Sequence, residues 1–388
     1  MWRRQGLRTL LRVGAAFALA ALPVLGQAPS PRKAPPPVPF NHANLAKIKL
    51  PPGFKITLFA QVPNARSLAV GRPMGVVFVG TRYDKVYAAV DRNKDGVADE
   101  VYAIAEGLNV PNGVAFKDGV LYVAEQHRVI RFFAPEFDIV RQFPPEVIFD
   151  RLPNKYPHGW RYIAVGPDGK VYVAVGAPCN ICVPEGLEGT VIRMDPDGNN
   201  MEVFLSGQRN IVGMDWHPKT GVFYATNNGA DGLGDDVPPD TLIRADRPGL
   251  YFGFPYVPTA GGSTPTPGFE GKKPPRPITP AVMDFQAHSA PLGIHFYRGE
   301  MFPEPYRNGA FVARHGSWNR TVPVGYDIVF VRFDEAGDPV SQEVFASGWL
   351  VRGSAWGRPV DIKELPDGSL LVSDDFAGVI YRITYEGE

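Results

Sequence analysis

"PDGKVYVAVGA" (167–177) places a glycine in a tight turn and follows it with a run of strand-forming residues, Val171 to Val175. Glycine accepts the positive φ that such a turn needs at little steric cost. The Val/Tyr/Ala run suits a pleated strand. Five further stretches repeat the pattern: "RPMGVVFVGTR" (72–82), "KDGVLYVAEQH" (117–127), "KTGVFYATNNG" (219–229), "RNGAFVARHGS" (307–317) and "PDGSLLVSDDF" (366–376). Recurrence at intervals of about 50 residues marks a radial repeat. Six copies predict an all-β chain folded as a six-bladed β-propeller, with the alternating face of each strand packed on a neighbouring sheet. The interval between the fourth and fifth copies is longer. It holds "PTAGGSTPTPGFEGKKPPRPITP" (258–280), which has no strand character and is expected to be a long loop on one face. A degenerate extra blade is the alternative. The close likeness of the copies disfavours an irregular β-sandwich.

Composition agrees with many short strands and turns: 42 glycines and 40 prolines stand among 388 residues, and 44% of the chain is hydrophobic. The formal net charge is zero and no long basic run occurs, so attraction to nucleic acid or anionic lipid is not expected. The N-terminus pairs a basic segment (Arg3, Arg4, Arg8, Arg12) with an apolar Val13–Leu25 that is too short for a convincing span. Residues 1–28 therefore read as a secretory signal peptide, with a retained anchor helix as the alternative. The Arg3-Arg4 pair leaves Sec and twin-arginine export both open. A proline-rich linker (29–39) follows, and the propeller is expected over 40–388. This predicts a periplasmic or secreted protein with no stable membrane span after signal cleavage. Cys179 and Cys182 then read as a short disulfide staple in a loop. Val183 follows them, so the haem signature is absent, and two thiolates alone cannot complete a zinc site.

Loops of a propeller converge at one end of its channel. Five polar stretches lie beside the repeats: "HGWRYI" (158–163), "GQRNIVGMDWHP" (207–218), "NNGADGLGDDVPPD" (227–240), "ARHGSWNRTVPVGY" (313–326) and "WGRPVDI" (356–362). Within them "HGWR", "GQRNIVG", "HGSWNR" and "GRPVD", in that order, resemble the soluble pyrroloquinoline quinone (PQQ)-dependent sugar dehydrogenases, in particular the sorbosone dehydrogenase-like branch. The resemblance runs from about Pro51 to Tyr385. It implies oxidation of an aldose or sugar aldehyde with hydride transfer to PQQ, and calcium at the cofactor. With no haem motif here, electrons would pass to a separate acceptor, a cytochrome or a quinone.

The resemblance also implies roles. His158 stands where the family has its general base, a task imidazole suits near neutral pH. Pro157 replaces the aspartate that glucose-oxidising relatives place before it. Arg209 and Asn210 match the Arg-Asn pair, the arginine stabilising charge on the quinone oxygens. PQQ carries three carboxylates, which arginine binds bidentately. Arg358 matches one such position, while Val360 stands where relatives often have a second arginine. Arg314, Arg320 and Arg352 are substitutes, Asn319 and Arg320 are placed on the cofactor, and Arg66 is a further candidate. Calcium prefers oxygen ligands, and Asn228, Gly229 and Ala230 align with the family's carbonyl donors. Asp235, Asp236 and Asp240 could hold a second ion or shape the loop. A separate calcium candidate is "DRNKDGVADEVY" (91–102), where Asp91, Asn93 and Asp95 begin an EF-hand-like loop but Tyr102 replaces the final glutamate.

Plainer readings stand beside each. His158 would be a surface histidine, Arg209 a tie between blades, Trp160 a core residue, 227–240 a solvated acidic loop and 91–102 a polar hairpin. Two other functions remain: a calcium-dependent lactonase, and a non-catalytic propeller that binds a glycan or protein.

Overall fold

The computed structural model describes residues 39–71, 75–133 and 144–387. The signal-peptide segment and nearly all of the linker lie outside them. All six glycine-led copies form strands: Val76–Thr81, Val120–Ala124, Val171–Val175, Phe223–Asn227, Ala310–Arg314 and Leu370–Asp374. Each is the second strand of its own sheet, antiparallel except where Leu250–Tyr251 joins the third sheet in parallel, and the six sheets are the blades of a β-propeller. The innermost strands are Ala65–Gly71, Gly113–Lys117, Ile163–Val165, Ile211–Trp216, Pro291–Phe296 and Pro359–Glu364. They pack each on the next and close the circle, the last against the first.

Strand burial differs from the expected alternation. The second strands Val76–Thr81, Val171–Val175, Phe223–Asn227, Ala310–Arg314 and Leu370–Asp374 are buried on both faces. The cause is architectural: a blade in the ring has a neighbour on each side, so both faces of its inner half are covered. The apolar core is accordingly laid between blades. Phe311, Phe330 and Phe345 of the fifth blade pack with Leu370, Tyr381 and Ile383 of the sixth. Tyr172 and Phe204 of the third pack with Trp216 and Phe223 of the fourth. Burial of such surface is the main favourable term in folding.

Small residues let inner strands approach closely. A Cβ on Gly213 would overlap the Leu292 carbonyl of the next blade, and one on Gly293 would lie 2.6 Å from the Asp361 Cα of the blade after that. Only glycine fits between backbones this near.

Closure uses both ends of the folded region. The sixth sheet runs Pro359–Glu364, Leu370–Asp374, Val379–Tyr385 and finally Phe54–Gln61, so its outermost strand comes from the start of the propeller. Phe54 pairs with Tyr385 and Gln61 with Val379 in an antiparallel ladder. Asp361 Oδ2 also accepts the Leu68 backbone N–H at 2.9 Å, tying the sixth blade to the first. The stretch 258–280 has no strand and is not an extra blade. It belongs to the excursion between Asp240–Ala245 and Met283–Phe285 of the fourth blade.

Candidate active site

Inner strands start at one end of the channel, and second strands finish there. The residues just before the former and just after the latter therefore meet. They line a cavity of about 230 Å³. Arg66, His158, Trp160, Arg209, Asn210 and Arg358 reach it from the inner-strand side. Arg82, Asn228, Gly229 and His315 reach it from the ends of second strands.

His158 has φ 58°, in the left-handed region, and is buried. Gly176 makes room for it, since a Cβ there would sit 2.6 Å from the His158 Cβ. His158 Nδ1 lies 2.6 Å from the Ala177 carbonyl. A carbonyl only accepts, so the proton sits on Nδ1 and Nε2 keeps its lone pair. With proline at 157, the partner of His158 Nδ1 is this backbone oxygen. Burial, with the Arg209 charge beside it, pushes the imidazole down to about 3. The ring is a neutral base throughout the neutral range.

Around Asp375 the wall is cationic. Its Oδ2 accepts from Arg66 and Arg82, both at 3.0 Å, and its Oδ1 is 2.7 Å from His315 Nε2. Burial alone would raise this carboxyl, yet His315, Arg66 and Arg82 hold it far below the usual range. Arg358 donates only to the His315 and Gly316 carbonyls, at 2.9 and 2.6 Å. Two guanidiniums thus share one carboxylate and a third, that of Arg358, has no side-chain counter-ion among the described residues, leaving net positive charge on this side. Arg82 also covers the Trp160 ring at 4.9 Å, and Trp160 meets Tyr156 edge-on.

The opposite side is mixed. Arg209 Nη2 donates to Asp231 Oδ2 at 2.7 Å, and Asn319 Nδ2 donates to Asp231 Oδ1 at 2.9 Å. Asp240 is buried, and its two oxygens accept the Gly229 and Ala290 N–H groups at 2.9 Å each. Burial raises it to about 6. His288 and the exposed Trp318 complete this side.

Several expected residues are elsewhere. Arg314 is turned to Asp327 on the adjacent strand, with two bonds of 2.6 Å, and is not on the cavity wall. Arg320 is held by the Asp235 carbonyl and by Asp236 at 3.0 Å, beside the cavity rather than in it. Ala230 is buried with its N–H on the Pro258 carbonyl at 2.7 Å. Asp91, Asn93 and Asp95 form a turn far along the first blade, between Val86–Val90 and Glu100–Ala105. Their oxygens accept from the N–H groups of Gly96, Asp95 and Val97 at 2.8–2.9 Å, while Asp91 Oδ1 is buried with no partner. Among the described residues no group of three or more His, Cys, Asp or Glu side chains is placed to hold a metal ion. Cys179 and Cys182 form a disulfide. No helix among the described residues is long and apolar enough to cross a membrane.

Arg82, Asp231, His288 and Asp375 were not marked by the sequence. Each is one polar residue beside a strand end. The signal for Arg82 and Asp375 was their equivalent place, immediately past the second strand of a repeat.

Residues 41–383 match the family described as "Domain of unknown function (DUF7133)". A Borreliella burgdorferi protein described as an uncharacterized protein is 34% identical over 354 residues, covering 87% of this chain and 91% of that one. Among solved structures, the holo pyranose dehydrogenase PQQ domain of Coprinopsis cinerea superposes with a TM-score of 0.72 at 16% identity, covering 90% of this chain and 98% of that one. The calcium structure of the Trichoderma reesei carbohydrate-active enzyme of family AA12 gives 0.72 at 18%, covering 87% and 97%. The PQQ-bound aldose sugar dehydrogenase of Streptomyces coelicolor gives 0.60 at 18%, covering 87% and 99%. At these identities the likeness shows the propeller fold.

Proposed function

The chain belongs to the DUF7133 family, and we propose that within it this propeller is a periplasmic or secreted quinoprotein dehydrogenase, oxidising an aldose or a sorbosone-like sugar aldehyde. The observation that carries the reading is the cationic wall: Arg66 and Arg82 on the carboxylate of Asp375, with Arg358 on backbone carbonyls beside them, across a cavity from a neutral, buried histidine. A small anion with several carboxylates suits that donor set. PQQ has this chemistry, and Arg66, Arg82 and Arg358 would hold it, with Asn210 and Asn319 as amide partners. Calcium would rest on oxygens of the Asn228–Gly229–Ala230 segment, and a second ion on Asp91, Asn93 and Asp95.

The bound quinone would supply the acceptor for the substrate's hydride. His158 Nε2 takes the proton of the hydroxyl on the carbon to be oxidised, the anomeric hydroxyl of an aldose or a hydroxyl of the hydrated aldehyde, while the Nδ1–H bond to Ala177 fixes the ring. Arg209 offers its charge to oxygen atoms that become negative. Anionic charge entering the cavity offsets the Arg209 effect and raises the proton affinity of His158. Electrons would leave to a separate cytochrome or quinone. A lactonase would need a metal on side-chain carboxylates and amides, and it has no reason to gather the arginines Arg66, Arg82, Arg209 and Arg358 around its cavity.

The mature chain, stripped of divalent metal, is titrated with calcium and PQQ while aldoses and aldehydes are offered. Saturable binding and substrate-dependent bleaching of the quinone absorbance are expected. His158→Ala should keep binding and lose turnover by about 100-fold or more. Failure of the wild-type protein to bind PQQ would favour the non-catalytic propeller.

A further inference from the structure

The Cys179–Cys182 bridge spans a sequence separation of 3, with Cα atoms 6.0 Å apart. So short a loop restrains little of the unfolded chain. Its effect is local, and what it encloses is Asn180 and Ile181. The Asn180 backbone carbonyl accepts from Arg209 Nε at 3.0 Å. Its Oδ1 accepts from Arg209 Nη2 at 2.9 Å and from the Asp231 N–H at 2.7 Å. Its Nδ2 donates to the Asp231 carbonyl at 2.9 Å. One side chain therefore grips both members of the Arg209–Asp231 ion pair. The remaining bond of the guanidinium, Nη1 to the Asn228 carbonyl, is long at 3.4 Å.

We infer that Asn180, fixed by the disulfide, is the positioning residue for Arg209 and Asp231. Asn180 links the loop after the third blade's second strand to the cavity wall built by the fourth blade, and the disulfide closes that loop around it. Asparagine is suited to the task. Its carbonyl and amide face an N–H and a C=O of one residue while the same carbonyl serves a guanidinium. Alanine has neither group. The disulfide is thus a clamp on the cavity, with no part in holding the blades together. The consequence for turnover rests on the dehydrogenase reading, but the placement of Arg209 does not.

The test reads Arg209 itself. Arg209 is 2% exposed, so phenylglyoxal should label it slowly in the full-length oxidised protein, as followed by peptide mass spectrometry. After reduction with dithiothreitol and alkylation of both thiols, labelling of Arg209 should rise about tenfold, the scale of losing hydrogen bonds to a charged group. Arg314, paired with Asp327 in the fifth blade, is the internal control and should not change. Asn180→Ala should act like reduction without any reductant. Asn180→Asp keeps the acceptor used by Arg209 but loses the donor to the Asp231 carbonyl, and should restore protection only in part. Where Arg314 is also labelled in a variant, that variant has lost its fold and the reduced wild-type protein decides. Unchanged labelling of Arg209 after complete alkylation of Cys179 and Cys182 overturns the inference. Loss of PQQ binding by the oxidised wild-type protein would instead overturn the dehydrogenase reading and leave the labelling result standing.

Discussion

At the residue scale, His158 and Asp375 are opposite uses of burial. His158 is kept neutral, and the folded protein must discharge it to bury it. Its folded pKa of about 3 lies below the ordinary value of 6.5. The unfolded chain binds the proton first, so this contribution is full above pH 6.5 and is lost as pH falls toward 3. The stability difference between wild type and His158→Gln should therefore shrink by about 1.4 kcal/mol per unit over that window. Urea midpoints measured at several pH values would show it, and a pH-independent difference would refute it. Asp375 is kept charged by three partners. Asp375→Asn leaves the buried Arg66 without its counter-charge and should cost about 3–5 kcal/mol in urea unfolding. The motifs singled out His158, Arg209 and Arg358, which line the cavity, but nothing in them marked Asp375 or Arg82. Their pairing is across blades, between residues 82 and 375, and nothing local encodes it. Arg314 was misplaced for the complementary reason. It ends a strand directly opposite Asp327 in the ladder, and that cross-strand ion pair turns it from the cavity, which the next residue, His315, enters.

At the scale of elements, the repeats were legible because a glycine turn and a strand are local signals. The fourth strands were not, since their exposed outer positions carry no regular apolar pattern. Glu202–Ser206 and Pro339–Ala346, for example, alternate little and face solvent along half their length. The inner strands were not singled out, although their glycines make "IVGMDW" (211–216) and "PLGIHF" (291–296) resemble one another. Gly213→Ala would push the fourth blade from the Leu292 carbonyl of the fifth. A cost of about 1–3 kcal/mol is expected from such overpacking. Denaturant unfolding of that variant checks it, and an unchanged midpoint would mean that the blades separate more easily than their packing implies.

For the whole molecule, closure was the part that sequence could not show. The partner of Val379–Tyr385 is more than three hundred residues away, and no motif links Phe54–Gln61 to it. Without that strand the sixth blade ends on an unpaired edge, and the ring loses the ladder that joins its beginning to its end. A chain starting after Gln61 should lose cooperative unfolding and aggregate, as light scattering during a thermal ramp would report. Full two-state melting of the truncated protein would show the ring to be sealed by side chains alone. The direction of that ladder has another consequence. Phe54 and Tyr385, the two outer ends, face each other at the same end of the pair. A pull applied to the two termini loads the terminal rung alone, then the next, as a zipper opens. The hydrogen bonds cannot share the load as they would in shear. A ring held together by many interlocked sheets would thus yield to a small mechanical force at its seam.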